Sequence, residues 1–439
     1  MVIWKLKLGA DRRVRSGHPW VFSNELASSP KNIGSGEFIE LQDSNGKFVA
    51  RGYGNPHSLI SFRALSFDPL EREPLGFAAL TKRVTDAWKV RKEAGFRGSF
   101  RLCFGESDFL PGLVLDYYFV EQKGLRGQVF AVQLVTAGLN KALQDCEGFF
   151  KQLVSAAVEM KLTDIPWERT AVVLRNDVNV RKLEGLQKEE PKTLKIIEGI
   201  DLSSVDILLN SASDDSVIRM RCDLATGQKT GFFLDQTQNI YQAVQIFKSW
   251  AKAHPELKSA PIKVLDLCCY VGHWSTQITR ALKSEGFEVE VHVADVSAPA
   301  LEFAMTNAER EGATVVVHKV DVLDGMDAFT SRSFDIIVAD PPAFIKSKKD
   351  IPTGTHAYLK LNTQAFRLIK NNRFVISCSC SGLLDEEGFK EPIRKAIQRN
   401  GWQARNLTRG GHAADHPTIL QFPEGFYLKM FCHYTDSIS

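Results

Sequence analysis

No stretch of this 439-residue chain approaches the ~18 consecutive apolar residues that a membrane-spanning helix needs. The opening segment MVIWKLKLGADRRVRSG carries charges where a secretory leader would have an apolar core. A cytoplasmic protein with no membrane partner is therefore expected. Cysteine is scarce: there are eight, with no C-x-x-C pair from which to build a structural zinc site, so no metal is expected. In a reducing compartment disulfides are not expected either, and each cysteine is a small core residue or a working thiol. Net charge is only +3, too little to announce nucleic-acid binding by itself. Internal repeats and low-complexity tracts are absent, which excludes solenoids and compositionally biased segments.

What is present is a chain with 44% hydrophobic residues, longer than one core usually supports, so two or three domains are expected. Residues 1–70 hold short alternating runs, GEFIELQD, GKFVARGYG and SLISFRALS, separated by turn clusters such as DSNG and GNPHS. That period-two pattern predicts a small β-barrel or β-sandwich. After the linker FDPLEREP, a helical pattern runs from Leu75 to Gly95, with Phe77, Leu80, Val84, Trp88 and Val90 roughly along one face. Strands RLCFGE, GLVLDYYF and QVFAVQLV, a helix near 142–160 and the strand TAVVLRND suggest an α+β middle domain over 75–190. A hairpin from Lys195 to Cys222 opens the remaining part, 191–439.

Beyond Asn239, apolar strands alternate with amphipathic helices: IKVLDLCCY, EVEVHVADVS, TVVVHKVDV, FDIIVADPPAF and NRFVISCSCSG. This is the pattern of a doubly wound, Rossmann-like parallel α/β sheet, in which ligands lie at the carboxyl ends of the strands. Asp266 ends the first strand, before a turn in which only Gly272 remains of a glycine-rich loop and His273 and Trp274 are bulky. Asp295, at the end of the second strand, is placed to accept ribose hydroxyls, or alternatively to cap the helix beginning at 297–298. Asp321, after the third, could meet an adenine amino group or merely cap. Three acids at three successive strand ends are less easily explained by capping together. The fourth strand ends in Asp340-Pro341-Pro342, a stiff turn able to present a carboxylate and a backbone carbonyl to a planar base.

The fifth strand delivers Cys378-Ser379-Cys380. Taken alone, this spacing fits metal ligation, a redox pair, a nucleophile with a bystander, or strand packing. Residues two apart on a strand share a face, and the later one lies nearer the ligand edge, which favours Cys380 as reagent and Cys378 as core.

The stretches GHPWVFSNEL, NPHSLISFR, FGESDFLPGLVLD, NDVNVRKLEGL, GQKTGFFLDQ, VLDLCCYVG, DPPAFIKSK, SCSCSGLL and FPEGFYLK together resemble the ribosomal RNA large-subunit methyltransferase I family, in the same order and over nearly the whole chain. The resemblance implies an N-terminal PUA domain over 1–70 and an S-adenosylmethionine-dependent enzyme that methylates carbon 5 of an RNA cytosine. It implies Cys380 as nucleophile and Asp340 as the group facing nitrogen 3 of the base. It places Phe233, Gln236, Asp266, Cys268, Tyr270, Gly272, Asp295, Asp321 and Asp340 around the cofactor. RNA is the expected partner, ribosomal RNA first, with a homodimer also entertained. Arg12, Arg13 and His18 of the barrel, and Pro342, Phe344 and Lys346 after the fourth strand, are the expected RNA contacts. Trp20 and Phe22 read better as barrel core than as base-stacking platforms.

Three departures from the family pattern stand out: Val271-Gly272-His273 in place of a Thr-Gly-Gly type turn, TQN in place of a basic residue after LDQ, and an extra hydrophilic stretch, FVEQKGLRGQ. Two other readings compete. A methyltransferase acting on an exocyclic amine would use the Asp-Pro-Pro turn without Cys380. A non-catalytic RNA-binding assembly factor would tolerate the altered turn, but would have no use for Asp340 and Cys380.

Overall fold

The computed structural model describes residues 2–437, which fall into two compact units. The first comprises Met1–Leu208, Asp223–Phe233 and Ala414–Gly425; the second comprises Leu209–Cys222, Leu234–Ala413 and Phe426–Ser439. Compactness thus joins 1–70 and 75–190 in one unit and moves the beginning of 191–439 into it. Among the described residues no helix is long and apolar enough to cross a membrane.

The first unit opens with β1 (Val2–Lys5), α1 (Asp11–Arg15), β2 (Trp20–Phe22), β3 (Glu37–Gln42), β4 (Phe48–Gly54) and β5 (Ile60–Ser66). The strands lie in the order β1-β3-β4-β5-β2. Past β1 and β2 the chain closes on itself through a Leu6–Leu26 bridge, with Ala27 N donating to Lys5 O at 2.8 Å. Alternation puts Trp4, Val21, Ile39, Leu41 and Phe62 inside, so the expected small barrel forms around its own core.

The same unit continues with α2 (Phe77–Glu93), β6 (Phe100–Phe104), β7 (Leu113–Gln122), β8 (Leu125–Leu134), α3 (Ala137–Ala142), α4 (Cys146–Glu159), β9 (Thr170–Leu174), β10 (Lys192–Lys195) and β11 (Val205–Asn210). Their sheet runs β10-β9-β8-β7-β11, with β6 also on β7. Two local expectations change. Val90 of α2 is 51% exposed, while Arg91 is fully buried, so the inward stripe ends on an arginine. At 100° per residue, position 91 follows 84 and 88 on one face, whereas 90 points away. Arg91 is satisfied there by Asp108, through two bonds of 2.6 and 2.7 Å, and by the carbonyls of Arg101 and Asp415. The extra hydrophilic stretch FVEQKGLRGQ is the tip of the β7–β8 hairpin. Lys123 and Gly124 both take positive φ, 50° and 76°, as a two-residue hairpin turn requires.

The second unit contains β12 (Val217–Cys222), α5 (Thr237–Ala253), β13 (Ile262–Leu267), α6 (His273–Ser284), β14 (Val289–Asp295), α7 (Ala298–Arg310), β15 (Thr314–Lys319), β16 (Phe334–Ala339), α8 (Ile351–Leu368), β17 (Ile369–Ser379), α9 (Glu386–Arg399), β18 (Trp402–Gly410) and β19 (Lys429–Ser437). Its sheet has the order β15-β14-β13-β16-β17-β19-β18. β13 to β17 are parallel, as expected; β19 enters antiparallel between β17 and β18. Strand residues alternate between two cores: Val264, Ile336 and Ile376 face a cluster with α5, α6 and α7, while Leu265, Ile337 and Val375 face one with α8 and α9. The chain order reverses between β13 and β16, so the ends of these strands form the switch point at which such sheets bind ligands.

Candidate active site

The turn after β13 is built from residues in an unusual conformation. Cys268, Tyr270 and Gly272 all have positive φ, at 60°, 49° and 77°. For the two non-glycine residues this is a strained state, which persists only where the surroundings impose it. The imposing contacts are present: Cys269 N donates to Ala294 O, Tyr270 N to Asp295 Oδ2 at 3.0 Å, and Gly272 N to Cys269 O at 2.8 Å. Gly272 is the residue preceding α6, and a Cβ there would stand 3.1 Å from both Cα and Cβ of Ala304 on α7. The single glycine left in this loop is thus the position that needs one.

Asp266, penultimate in β13, is buried and accepts a 3.1 Å bond from Ser275 N on Oδ2, while Oδ1 has no hydrogen-bond partner. Burial pushes its carboxyl up to about 7; the bonds from Ser275 oppose this, and the neighbouring charges of Asp340 and Asp295 add to it. Asp295 uses Oδ2 on Tyr270 N and Oδ1 on Ser297 N at 2.9 Å. It does not cap α7: Ser297 does, accepting from Ala300 N. Asp321 lies two residues beyond β15, exposed, with Oδ1 accepting from Leu323 N at 2.9 Å. Burial and the surrounding carboxylates push the Cys268 thiol up, so it is not a ready nucleophile.

Asp340 follows β16, and both of its oxygens are held. Gln236 Nε2 donates to Oδ1 at 2.9 Å, and Trp274 Nε1 donates to Oδ2 at 3.0 Å. Gln236 is itself fixed by Asn239 Nδ2 at 2.6 Å and also contacts the Cys378 thiol. The bulky Trp274 at the start of α6 is therefore a ligand of the Asp-Pro-Pro carboxylate. Sequence reasoning missed this role, because a tryptophan at a helix start carries no local signal of what its N–H will reach.

The two cysteines separate as expected. Cys378 is buried in the core cluster beside Ile376 and Met430, and burial raises its thiol well above the usual range. Cys380 lies one residue past β17, half-buried, with Sγ donating to Pro341 O at 3.7 Å. Behind it, Ser379 Oγ donates to Tyr358 Oη at 2.9 Å, Tyr358 Oη and Ser381 Oγ are 2.8 Å apart, and Ile345 N donates to Ser381 Oγ at 3.1 Å. This buried hydroxyl chain ties the Cys380 loop to the Asp-Pro-Pro loop. Phe344 packs against Tyr358 with ring centroids 4.8 Å apart, while Pro342 and Lys346 are exposed.

The remaining candidates lie in the first unit. Phe233 has Lys229 Nζ 4.1 Å from its ring centroid. Arg13 donates to Glu25 Oε2 at 2.8 Å and to Trp20 O at 3.1 Å, and its guanidinium lies over Phe22. His18 is buried beside Glu424 and accepts from Trp20 N, and burial lowers its pKa. Both side chains are engaged by protein partners, and Arg12 is the exposed one of the three. Trp20 packs edge-on against Phe422 and donates to Glu106 at 2.7 Å, in keeping with a structural role.

A model of the PUA-like domain matches residues 5–67 and one of a methyltransferase domain matches residues 258–411. A candidate SAM-dependent methyltransferase from Streptococcus mutans, known from a solved structure, aligns with a TM-score of 0.70 at 17% identity, covering 99% of this chain and 100% of that one. A methyltransferase candidate solved in complex with SAH aligns at 0.71 and 16%, with the same coverage. At such identities these likenesses speak to the fold. Sequence relatives are closer. The ribosomal RNA large subunit methyltransferase I of Vibrio vulnificus is 30% identical over 434 residues, 96% of each chain. That of Photobacterium profundum is 31% identical over 443 residues, 97% of each. With a carboxylate-lined switch point on a methyltransferase sheet, a PUA-like domain ahead of it and end-to-end similarity of this extent, the chain belongs to the ribosomal RNA large subunit methyltransferase I family.

Proposed function

We propose that the protein methylates carbon 5 of a cytosine in large-subunit ribosomal RNA, in the cytoplasm, through a covalent adduct with Cys380. The observation that carries this reading is the pairing of Cys380 with the Asp-Pro-Pro turn: its Sγ lies 3.7 Å from Pro341 O, one residue from Asp340. The switch point fits a cationic adenosyl donor. Asp266 offers a buried oxygen with no partner, Gly272 lets the turn take its positive φ against α7, and Asp295 and Asp321 stand at the neighbouring strand ends. Asp266, Cys268, Tyr270, Gly272, Asp295 and Asp321 would hold S-adenosylmethionine, with Phe233 and Gln236 as proposed flanking residues. When bound, S-adenosylmethionine supplies the methyl group that carbon 5 takes up.

The chain's own residues do the rest. Carbon 5 of cytosine is a poor nucleophile. Addition of the Cys380 thiolate to carbon 6 makes carbon 5 enamine-like, and a cysteine suits this because it attacks well and also leaves. Asp340, aimed by Gln236 and Trp274, would donate from its protonated form to nitrogen 3, where negative charge develops; a group so fixed needs no reorganisation in the transition state. Loss of the carbon 5 proton to a base then expels the thiolate. The cytosine must leave its stack to reach a half-buried sulfur, and Phe344 and Pro342 flank the path. In the same proposal residues 1–70 engage RNA, with Arg12 toward phosphate and Lys346 doing the same beside the site, while 75–190 and 191–439 are the middle and methyl-transfer modules.

The test is transfer of labelled methyl groups to large-subunit ribosomal RNA lacking the modification. Cys380→Ala should abolish transfer, and the unmodified protein should form a denaturation-stable adduct with RNA containing 5-fluorocytosine. Full transfer by Cys380→Ala would sink the proposal in favour of an exocyclic-amine enzyme. Transfer by neither protein would favour a non-catalytic assembly factor.

A further inference from the structure

Lys429 opens β19 directly across the ladder from Ser379. Its Nζ donates to Ser381 O at 2.6 Å, Leu384 O at 2.6 Å and Tyr427 O at 2.9 Å. Two of these carbonyls belong to the turn that immediately follows Cys380. All three ammonium hydrogens are therefore used on neutral oxygens. A half-buried cation held only by carbonyls carries an uncompensated desolvation cost, unless an anion forms beside it. The groups whose charges act on it are Cys380 and Asp385.

We propose that Lys429 is a positioning residue for the nucleophile: it pins the turn behind Cys380 and supplies the positive charge that favours the Cys380 thiolate. The inference rests on the reading of Cys380 as the nucleophile, since the thiolate is the attacking form. The acidic groups on the neighbouring elements do not help. Asp340 from the loop after β16 and Asp235 from the segment before α5 act on the neighbouring Cys378, Tyr358 of α8 interacts with Cys380, and Asp385 caps α9. Carboxylates oppose thiol ionisation, whereas the Lys429 ammonium favours it. Burial lowers the Lys429 ammonium to about 8, with Cys380 and Asp385 pulling it back up, so the charge is present at pH 7.

The test is iodoacetamide alkylation of the full-length protein from about pH 6 to 10, read at Cys380 by site-resolved mass spectrometry. The unmodified protein should give a midpoint below the ~8.5 of an ordinary thiol. Lys429→Met should raise that midpoint by about one pH unit and slow alkylation at pH 7 about tenfold, and Lys429→Arg should restore both. A midpoint at or above ~8.5 in the unmodified protein overturns the proposal, whether or not either variant folds. So does an unchanged midpoint in a folded Lys429→Met protein. Neither RNA nor methyl donor is needed, so this outcome is separate from that of the Cys380→Ala transfer assay.

Discussion

The indole Nε1 of Trp274 donates a 3.0 Å hydrogen bond to Oδ2 of Asp340, linking the start of α6 to the Asp-Pro-Pro turn after β16. Strands β13 and β16 are neighbours at the switch point, so the bond joins the two segments that border it. Trp274, in the first turn of α6, thus helps to fix the Asp340 carboxylate.

Removing that bond tests its contribution. Trp274→Phe keeps an aromatic ring in the buried pocket and loses only the donor. Leaving a buried polar group without one of its partners costs ~1–3 kcal/mol, so methyl transfer should slow at least about fivefold in kcat with donor KM little changed. Steady-state kinetics with unmodified RNA would check this, and an unchanged kcat would show that Gln236 alone suffices to aim Asp340.

Asp266 makes stability depend on pH. Its carboxyl, near 4 when unfolded, is raised to about 7 by burial, so between these values the folded state holds a proton that the unfolded state has released. Stability from this group is therefore complete below about pH 4 and is lost as pH rises through 7, with a limiting slope of ~1.4 kcal/mol per pH unit. Asp266→Asn cannot ionise. Urea unfolding at pH 5 and pH 8 should show the variant gaining on the unmodified protein at the higher pH; a constant difference would contradict the assignment.

Gly272→Ala should cost ~1–3 kcal/mol, since it forces a side chain into positive φ and drives a methyl to 3.1 Å from Ala304. Donor affinity should fall with stability, because the same turn lines the switch point. Denaturant midpoints and calorimetric titration with S-adenosylmethionine would measure the two effects.

In the first unit, Arg91→Met replaces a buried guanidinium with an apolar chain and leaves the carboxylate of Asp108 facing it uncompensated. Breaking one side of a buried ion pair costs ~3–5 kcal/mol. The loss should be smaller in the double variant Arg91→Met, Asp108→Leu, and a thermal unfolding series would show the difference.

Much of this architecture was legible in the chain. The shift from period two to alternating strand and helix located the barrel and the parallel sheet, because each element's burial writes its own period into adjacent residues. The Asp-Pro-Pro turn and the inequality of Cys378 and Cys380 followed from equally local facts: proline's fixed φ, and the two-residue repeat of a strand. β18 and β19 were not legible. Their strand pairing joins segments far apart in sequence, and nothing within either segment encodes its partner.

The sequence by itself determined which residue types arrive at each strand end, and so the chemistry open to them. Tertiary structure alone decided how those residues are used. Arg13 and His18, basic and near the N-terminus, turned inward to satisfy Glu25 and Glu424. Trp274, Gln236 and Lys429 came to surround Asp340 and Cys380 from a helix start, a loop and the last strand. Side-chain partners are chosen by which backbone segments the packed sheet brings within ~3 Å, a non-local outcome that no residue's neighbours in the chain can specify.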